Sequence, residues 1–493
     1  MTPPPVYLAI DLGATSGRVI AGTLSEGRIA LQEVHRFPTA GVRLPSGHHW
    51  DILALYRSVL EGLGMAAREY GSRIVGIGVD TWGVDYSLLD SHGRSLGDPY
   101  QYRDSRTDGA MEQVRELVPA EKIYGETGIQ FMFFNSIYQL HAERSSDAGR
   151  LEAASDLLFL PDLLSYWLCG VKIQERSIAS TSQLWNPCTE AWSNDLLDAL
   201  KLPRRLFRPV TEPGTILGEL LPHVREETGL GAVPVIAVAG HDTGSAVAGA
   251  PLTSEAPAFL SSGTWSIMGI ESPRPILNDA ARDAGFSNEA GVDGTTRFLK
   301  NICGMWLVEQ LREQWSKDGE NYSYERLLAL AAEAPAFASI IDPDDPRFAR
   351  PGGMAGRIQD FCRETGQPVP QTPGAFVRLA FESLACKYRL VFESLEQLAG
   401  RSFPSLRIVG GGSQNAFLNQ CTANALGRPV AAGPVEATSL GNVLLQLKAV
   451  GAISDLAEGR SVIEKSFETR IFEPMDSAVW AEAVDRLREL LNR

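Results

Sequence analysis

The chain has 493 residues, 44% of them hydrophobic and 21% charged, a composition typical of globular proteins with two or three domains and sizeable cores. Its 45 basic and 60 acidic residues give a net charge of −15 without any Lys/Arg-rich run. This balance argues against a nucleic-acid partner or an anionic membrane surface, while a local basic pocket for an anionic ligand stays compatible with it.

Cysteine usage and the N-terminus indicate the cellular setting. The six cysteines are scattered, with no C-x-x-C pair and no His partner at zinc spacing, which favours a reduced, cytosolic protein. The opening "MTPPPVYLAI" lacks a basic segment followed by a long apolar one, so no signal peptide is predicted. No run approaches the roughly 18 apolar residues of a membrane span. We therefore expect a cytoplasmic protein.

The first segment, "AIDLGATSGRVIAG" (9–22), predicts strand, turn and strand, with small residues at the tip. The following "WDILALYRSVLEGLGMAAREYG" has helical apolar spacing and closes on Gly71. "RIVGIGVD" then predicts a second strand that ends in an acid. Strand, helix and strand in this order predict an α/β fold.

A similar pattern returns in the second half of the chain. "VPVIAVAG" predicts a strand that leads into "HDTGSAVAG", and "APAFLSSGTWSIMGIES" repeats the opening hairpin pattern. "GAFVRLAFESLACKYRLVFESLEQLAG" predicts a long amphipathic helix, and "LRIVGGGSQN" a strand and triple-glycine turn with a helix starting near Ser413. "IDPDDPRFARPGG" predicts a long surface loop. We place the domain boundary at Gly249, giving domains of residues 1–249 and 250–493.

Glycine turns rich in Ser and Thr suit a nucleotide triphosphate, because backbone N–H groups and hydroxyls donate to phosphate oxygens where no Cβ intervenes. The sequence has no G-x-x-x-x-G-K-[ST] motif, and no G-x-G-x-x-G opens a helix after the first strand. A P-loop and a dinucleotide fold are therefore disfavoured. The alternative for each turn alone is a tight hairpin chosen only for its geometry.

These residues, in this order, resemble the FGGY family of carbohydrate kinases over nearly the whole chain. "DLGATSGR" resembles the first phosphate loop, "SSGTWS" the second, "VGGGSQN" the adenosine loop, and "AGHDTGSAVAG" the segment with the catalytic aspartate. The resemblance implies two ribonuclease-H-like domains of the actin/sugar kinase/heat-shock chaperone ATPase fold, with an interdomain cleft.

The resemblance also implies roles for individual residues. Asp242 becomes the base that accepts the proton of the attacking hydroxyl, and Asp11 a carboxylate for Mg²⁺ held through water. The implied sugar ligands are Gly83, His241, Asp242, Thr243 and Asn301. The implied ATP ligands are Ala14, Thr15, Ser16, Gly17, Arg18, Thr264, Glu309 and Gly411.

Each role has a structural alternative. Asp242 in an isolated Asp-Thr-Gly is a helix N-cap, Asp11 stabilises an Asx-type turn, and Arg18 is a surface arginine. At Glu309 the resemblance leads us to expect glutamine, so the ATP contact lies with either Glu309 or Gln310.

The segments "GVDTWGVDYSLLD", "GIQFMFFNSIYQL" and "FLKNICGMWLVEQ" resemble those of family members that act on L-rhamnulose. The implied reaction is ATP-dependent phosphorylation of its C1 hydroxyl to L-rhamnulose 1-phosphate, in L-rhamnose catabolism. An apolar wall for the sugar methyl group is expected from Trp82 or Phe131. A sister kinase of L-fuculose or xylulose, and an actin- or chaperone-like ATPase, are the alternatives; oligomeric state is left open.

Overall fold

The computed structural model describes residues 3–252, 257–475 and 477–492, in which strands and helices alternate. The strands are β1 Val6–Leu12, β2 Ser16–Ser25, β3 Arg28–Pro38, β4 Gly41–Leu44, β5 Gly47–Trp50, β6 Ile74–Thr81, β7 Tyr86–Leu89, β8 Asp156–Phe159, β9 Trp185–Asn186, β10 Ala191–Trp192, β11 Thr215–Glu219, β12 Pro234–Ala237, β13 Ala258–Ser262, β14 Trp265–Ser272, β15 Ser287–Ala290, β16 Thr296–Cys303, β17 Leu406–Val409, β18 Val430–Ala432 and β19 Arg470–Phe472. The helices are α1 Ile52–Tyr70, α2 Ala110–Leu117, α3 Ala120–Thr127, α4 Ser136–Ser146, α5 Ala148–Ala153, α6 Leu160–Cys169, α7 Arg176–Ser180, α8 Asn194–Ala199, α9 Pro222–Thr228, α10 Asp242–Ala248, α11 Asp279–Asp283, α12 Trp306–Lys317, α13 Tyr324–Glu333, α14 Met354–Glu364, α15 Pro373–Ala399, α16 Ala416–Leu426, α17 Ala437–Ala449, α18 Leu456–Ser466 and α19 Ser477–Leu491.

The chain divides into two units, each assembled from three segments. The first unit comprises Met1–Pro251, Glu271–Phe298 and Ala437–Phe467, and the second comprises Leu252–Ile270, Leu299–Glu436 and Glu468–Arg493. The domain boundary at Gly249 stays a prediction. Parts of the chain beyond it, among them α17 and α18, lie in the first unit.

The sheet of the first unit has the order β11-β12-β6-β1-β2-β3. Its centre is parallel, β1 with β6 and β6 with β12, whereas β1, β2 and β3 form an antiparallel meander. Side chains of β1 alternate between two buried layers, as the period of a strand requires. Val6, Leu8, Ile10 and Leu12 join the core that contains α1, and Tyr7 and Ala9 join the core that contains α17.

Glycines allow α17 to lie close to the sheet. A Cβ on Gly78 would come within 2.5 Å of Asn442 Oδ1, and one on Gly76 within 2.7 Å of Gln446 Oε1. The "GIG" of β6 therefore creates the space that the polar side chains of α17 occupy.

The second unit repeats this arrangement, with β14, β13, β17, β18 and β19 as neighbouring strands in that order. Here β13 pairs with β14 in antiparallel fashion and with β17 in parallel, and β17 is parallel to β18. Both sheets thus place an antiparallel hairpin beside parallel strands. The sequence prediction of an α/β fold with two similar hairpin units is confirmed.

Most predicted elements are found, with two corrections. The helix expected to start near Ser413 begins at Ala416, after a 3₁₀ turn at Gly411–Gln414, because the Asn415 side chain caps it through Leu418 N–H at 3.0 Å. The predicted surface loop "IDPDDPRFARPGG" is anchored in the core rather than lying on the surface throughout. Ile341 and Phe348 are buried, and Asp342 accepts from Lys387 Nζ at 2.8 Å.

In the described residues, no helix combines the length and apolar character needed to cross a membrane. All six cysteines are free thiols, Cys188 exposed and the others buried.

Candidate active site

The first glycine turn connects β1 to β2. Gly13 N–H donates to Ser16 O at 3.0 Å, and Thr39 Oγ1 donates to Gly13 O at 2.8 Å, which fixes the turn from two sides. Ala14 and Thr15 lie at its tip. Ser16, Gly17 and Arg18, which the sequence assigned to the same loop, are the first residues of β2.

Asp11 and Arg18 form an ion pair of 2.6 Å between Oδ2 and Nη2. They are register partners on β1 and β2, so the geometry of the hairpin brings them together. Ser439 Oγ of α17 donates to the same Asp11 oxygen at 3.1 Å. The sequence assigned Asp11 to the metal and Arg18 to phosphate; the structure shows that the two side chains are in contact.

Asp80 is a carboxylate to which the sequence assigned no role. It is the register partner of Asp11 on β6, it is fully buried, and its Oδ2 accepts from Asn442 Nδ2 at 2.6 Å. Its Oδ1 has no hydrogen-bond partner. Burial and the nearby Asp11 carboxylate raise the pKa of Asp80 well above its usual value. The sequence pattern that pointed to Asp11, an acid near the end of a buried strand, also occurs at Asp80.

Two buried carboxylates on neighbouring strands fit the donor set of a magnesium ion, which at nucleotide sites takes one or two carboxylates, phosphate oxygens and water. The unpartnered Oδ1 of Asp80 is consistent with that chemistry. Among the described residues, no group of three or more His, Cys, Asp or Glu side chains forms a metal cage.

Asp242 is the first residue of α10, and its side chain is 29% exposed. Its Oδ1 accepts from the N–H and the hydroxyl of Thr243, at 2.5 and 3.1 Å. Burial raises the pKa of Asp242, Asp11 adds to this effect, and His241 opposes it. A carboxylate with a raised pKa and one accessible side suits a general base.

His241 and Gly83 are brought together by the end of the sheet. Thr81 N–H donates to Gly240 O at 2.9 Å, which aligns the two loops that follow β6 and β12. A Cβ on Gly83 would lie 3.4 Å from His241 Nε2 and 3.3 Å from Thr181 Cγ2. Gly83, His241, Asp242 and Thr243 therefore form one cluster in the first unit.

The backbone of this cluster is held by a buried carboxylate that the sequence analysis missed. Glu175 Oε2 accepts from Gly240 N–H at 2.9 Å and from the Ser177 hydroxyl at 2.6 Å. The same hydroxyl accepts from His241 N–H at 3.1 Å. The position of His241 thus depends on Glu175 and Ser177, for which no local sequence signal exists.

A second missed pair lies behind the imidazole. His241 Nδ1 is 3.1 Å from Glu289 Oε2, which is 3.2 Å from Arg297 Nη2. Burial alone would raise the pKa of Glu289, but Arg297 and His241 outweigh it and hold that pKa below its ordinary value.

Trp82 is 6% exposed and lies 4.1 Å from Trp50 between ring centroids. Both indole N–H groups donate to Asp85 Oδ2, at 2.9 Å from Trp82 and 2.7 Å from Trp50. Trp82 therefore supports the loop of Gly83 from the core. Phe131 is half-buried, with the Arg115 guanidinium 4.6 Å from its ring centroid.

The other predicted site residues lie in the second unit. Thr264 lies in the turn of the β13–β14 hairpin and donates from Oγ1 to Glu309 Oε1 at 3.2 Å. The neighbouring Gln310 is buried, donating to Glu313 at 2.8 Å and accepting from Gly352 N–H at 2.9 Å. Glu309, not Gln310, therefore contacts the second glycine turn.

Gly411 lies in the triple-glycine turn after β17. This turn runs against the end of β13: a Cβ on Gly412 would lie 2.0 Å from Ser262 Oγ, and one on Gly410 would lie 3.0 Å from Ser262 O. The adenosine loop and the second phosphate loop of the sequence analysis are therefore adjacent. Asn301 is half-buried on β16.

Two family models match the chain. The N-terminal domain of the FGGY family of carbohydrate kinases matches residues 6–249, and the C-terminal domain of the same family matches residues 258–450.

Curated relatives match nearly end to end. A rhamnulokinase of Bacteroides thetaiotaomicron is 47% identical, covering 97% of this chain and 97% of its own. Rhamnulokinases of Pectobacterium atrosepticum and Bacillus subtilis are 45% and 40% identical, over 95% and 96% of this chain and 92% and 96% of their own.

Solved structures share the fold at low identity. A ligand-bound xylulose kinase from Lactobacillus acidophilus has a TM-score of 0.83 at 15% identity, over 99% of this chain and 98% of that one. Plasmodium falciparum glycerol kinase with ADP has a TM-score of 0.78 at 16% identity, over the same shares. With its two sheets, its glycine turns and these matches, the chain belongs to the FGGY family of carbohydrate kinases.

Proposed function

We propose that this chain is a kinase that transfers the γ-phosphoryl group of ATP to the C1 hydroxyl of L-rhamnulose, giving L-rhamnulose 1-phosphate and ADP in L-rhamnose catabolism. The observation that carries the proposal is the full-length identity of 40–47% to the rhamnulokinases described above. The reaction class, phosphoryl transfer to an alcohol, is that of the family.

Asp242 supplies the base. Phosphoryl transfer to an alcohol needs a carboxylate within hydrogen-bond reach of the attacking hydroxyl. Thr243 occupies one oxygen of Asp242 through two donors, at 2.5 and 3.1 Å, which leaves the other oxygen for the substrate. The raised pKa of Asp242 makes it a better proton acceptor than an ordinary surface aspartate.

Gly83, His241 and Thr243 bind the ketose beside this base, and Asn301 is the proposed sugar ligand of the second unit. A polyhydroxy sugar is recognised by hydrogen-bond donors and acceptors held in fixed positions. Such a site discriminates against a sugar that leaves one of these groups unpaired. The absent side chain of Gly83 leaves the His241 Nε2 edge open.

ATP is bound by the glycine turns, with Ala14, Thr15, Ser16, Gly17 and Arg18 in the first unit and Thr264, Glu309 and Gly411 in the second. Asp11 and the buried Asp80 are the carboxylates proposed to hold Mg²⁺, directly or through water. The metal, when bound, neutralises charge on the β- and γ-phosphates. The pairing of Arg18 with Asp11 keeps both side chains oriented at the first turn.

We propose the cytoplasm as the location of the enzyme, with L-rhamnulose and ATP as its partners and neither nucleic acid nor membrane among them. Kinases of L-fuculose or xylulose are the alternatives within the family; the relatives reported above do not favour them. An actin- or chaperone-like ATPase would show filaments or peptide-stimulated hydrolysis instead.

The test is turnover of L-rhamnulose, L-fuculose and D-xylulose side by side with MgATP, with coupled detection of ADP and NMR of the phosphorylated carbon. We expect the highest kcat/KM for L-rhamnulose and phosphate on C1. A clear preference for another ketose would refute the substrate, and ATP hydrolysis without sugar phosphorylation would refute the kinase.

A further inference from the structure

The loop "IDPDDPRFARPGG" of the second unit contains a cluster of charged side chains held against α15. Lys387 of α15 is 9% exposed, and its Nζ lies 2.8 Å from Asp342 Oδ1 and 3.1 Å from Asp344 Oδ2. The N–H of Asp344 also donates to Asp342 Oδ1 at 3.1 Å. Pairing opposite charges offsets part of the cost of removing them from water. Lys387 therefore fixes both aspartates of the loop against α15.

The other oxygen of Asp344 contacts the end of β16. Its Oδ1 accepts from Cys303 N–H at 2.7 Å, while its Oδ2 faces Lys387. A hydrogen bond to an ionised carboxylate is stronger than one between neutral groups. Asp344 thus connects α15 to the backbone of Cys303 and uses both of its oxygens to do so.

The backbone that follows Cys303 is bonded to the second glycine turn, the turn between β13 and β14. Met305 N–H donates to Gly263 O at 2.9 Å, and Trp306 N–H donates to Thr264 O at 3.2 Å. A shift of the backbone at Cys303 would therefore reach the turn through two hydrogen bonds.

The turn has little room to move independently of this backbone. A Cβ on Gly304 would lie 2.6 Å from Gly263 O, so the two segments are in close contact. On the other side of the turn, Ser266 Oγ and Tyr388 Oη share a hydrogen bond of 2.6 Å, and Tyr388 is the neighbour of Lys387 on α15. The same helix therefore holds the turn from both sides.

We propose that Asp344 is a positioning residue for ATP, which holds the second glycine turn in place for the phosphates by fixing the backbone of Cys303 against Lys387. It acts only through that backbone and the turn. The proposal rests on the proposed function in so far as the turn binds the phosphates of ATP, with Thr264 among its ligands.

The experiment compares wild type with Asp344→Ala, which removes the acceptor of Cys303 N–H while Lys387 keeps Asp342 as its counterion. Calorimetric titration gives the dissociation constants of MgATP and of adenosine, which has no phosphates for the turn to bind. We expect the dissociation constant of MgATP to rise about tenfold, the value of one lost hydrogen bond, and that of adenosine to stay unchanged. The amides of Met305 and Trp306 should exchange hydrogen faster in the variant.

Asp345→Ala is the matched control. Asp345 lies in the same loop, but its Oδ1 accepts from the N–H and the Nε of Arg347, at 2.9 and 3.0 Å. This variant should bind MgATP as wild type does. Asp344→Asn keeps an acceptor for Cys303 N–H and loses the charge that faces Lys387, so its affinity for MgATP should lie between those of wild type and Asp344→Ala.

A folded Asp344→Ala with wild-type affinity for MgATP overturns the proposal. An equal loss of affinity for MgATP and adenosine, or the same loss in Asp345→Ala, overturns it as well, because either would show general damage to the unit. If Asp344→Ala does not fold, Asp344→Asn takes its place, and wild-type affinity in that variant overturns the proposal. A wild type that phosphorylates none of the ketoses refutes the proposed function, and the MgATP affinities still decide the role of Asp344.

Discussion

Asn442 of α17 donates a 2.6 Å hydrogen bond to Asp80 of β6, although 362 residues separate them in the chain. Gln446, one helical turn further, donates to Leu8 O at 2.9 Å and to Asn442 Oδ1 at 2.8 Å. A line of polar side chains on α17 thus holds the buried backbone and carboxylates at the centre of the first sheet.

Asn442→Leu removes the donor to Asp80 and leaves a buried carboxylate without its partner. We expect a loss of about 1–3 kcal/mol in the free energy of unfolding, the usual penalty for an unsatisfied buried group. Urea denaturation followed by far-UV circular dichroism measures it. Asn321→Leu, at an exposed asparagine, is the control, and equal midpoints for the two variants would contradict the prediction.

Asp242→Asn keeps the size of the side chain and removes the proton acceptor. If Asp242 is the general base, kcat falls by about 10²–10⁴-fold while the affinities for sugar and ATP stay close to wild type. Steady-state kinetics and calorimetric binding test this, with thermal unfolding as the control for misfolding. If Asp242 only stabilises the first turn of α10 through its hydrogen bonds with Thr243, asparagine serves nearly as well, and a folded variant will retain its kcat.

Glu309 and Gln310 make different contacts, so their substitution distinguishes which of the two binds ATP. Glu309→Ala removes the partner of Thr264 at the second glycine turn, so we expect a KM for ATP raised several-fold with an unchanged thermal midpoint. Gln310→Ala breaks the contacts to Glu313 and Gly352, so it should lower the thermal midpoint and leave the KM for ATP nearly unchanged. The reverse pattern would move the nucleotide contact to Gln310.

Gly83→Ala tests the open space beside His241. A Cβ there meets His241 Nε2 at 3.4 Å and Thr181 at 3.3 Å, which a small shift accommodates in the free protein but which narrows the space for a sugar. We expect a ketose KM raised by about tenfold, as for a lost hydrogen bond, with ATP binding retained. The control is Gly125→Ala, where nothing lies within 4 Å. An unchanged ketose KM in Gly83→Ala would place the sugar elsewhere.

The buried carboxyl group of Asp85 makes the free energy of unfolding depend on pH. Burial raises its pKa from 3.8 to about 6, although the indoles of Trp50 and Trp82 and the amide of Gln139 oppose this. The folded state therefore binds the proton more tightly than the unfolded state. The contribution of Asp85 to the free energy of unfolding falls as the pH rises from about 4 to about 6 and stays constant above.

Between pH 4 and pH 6 the contribution of Asp85 to the free energy of unfolding falls by roughly 3 kcal/mol, because each unit of pKa shift corresponds to about 1.4 kcal/mol. Asp85→Asn has no carboxyl group to titrate at this position. The free energy of unfolding of the variant, relative to that of wild type, should therefore increase as the pH rises from about 4 to about 6. Urea midpoints at pH 4.5 and pH 7 measure the difference. A difference that is the same at both pH values would contradict the assignment.

The sequence predicted what is coded locally. An apolar strand followed by a small-residue turn specifies each hairpin, and the acid that ends β1 and the Asp-Thr-Gly that opens α10 stand out in short windows. The sequence did not predict the partners of these residues, because Asp11 meets Ser439 and His241 meets Glu289 only after the chain has folded. Trp82 shows the same limit: an apolar wall for the sugar stays a prediction, and the hydrogen bond from its indole N–H to Asp85 could be found only in the folded chain.

The segment Ala437–Phe467 belongs to the first unit, although most of that unit is encoded before residue 252. A ribosome must therefore synthesise nearly the whole protein before α17 emerges to cover β1 and β6. Until then the glycine-lined surface at Gly76 and Gly78 and the carboxylate of Asp80 have no helix against them. Folding of the first unit during translation therefore stays incomplete until α17 has been synthesised. This requires most of the second unit to be translated first.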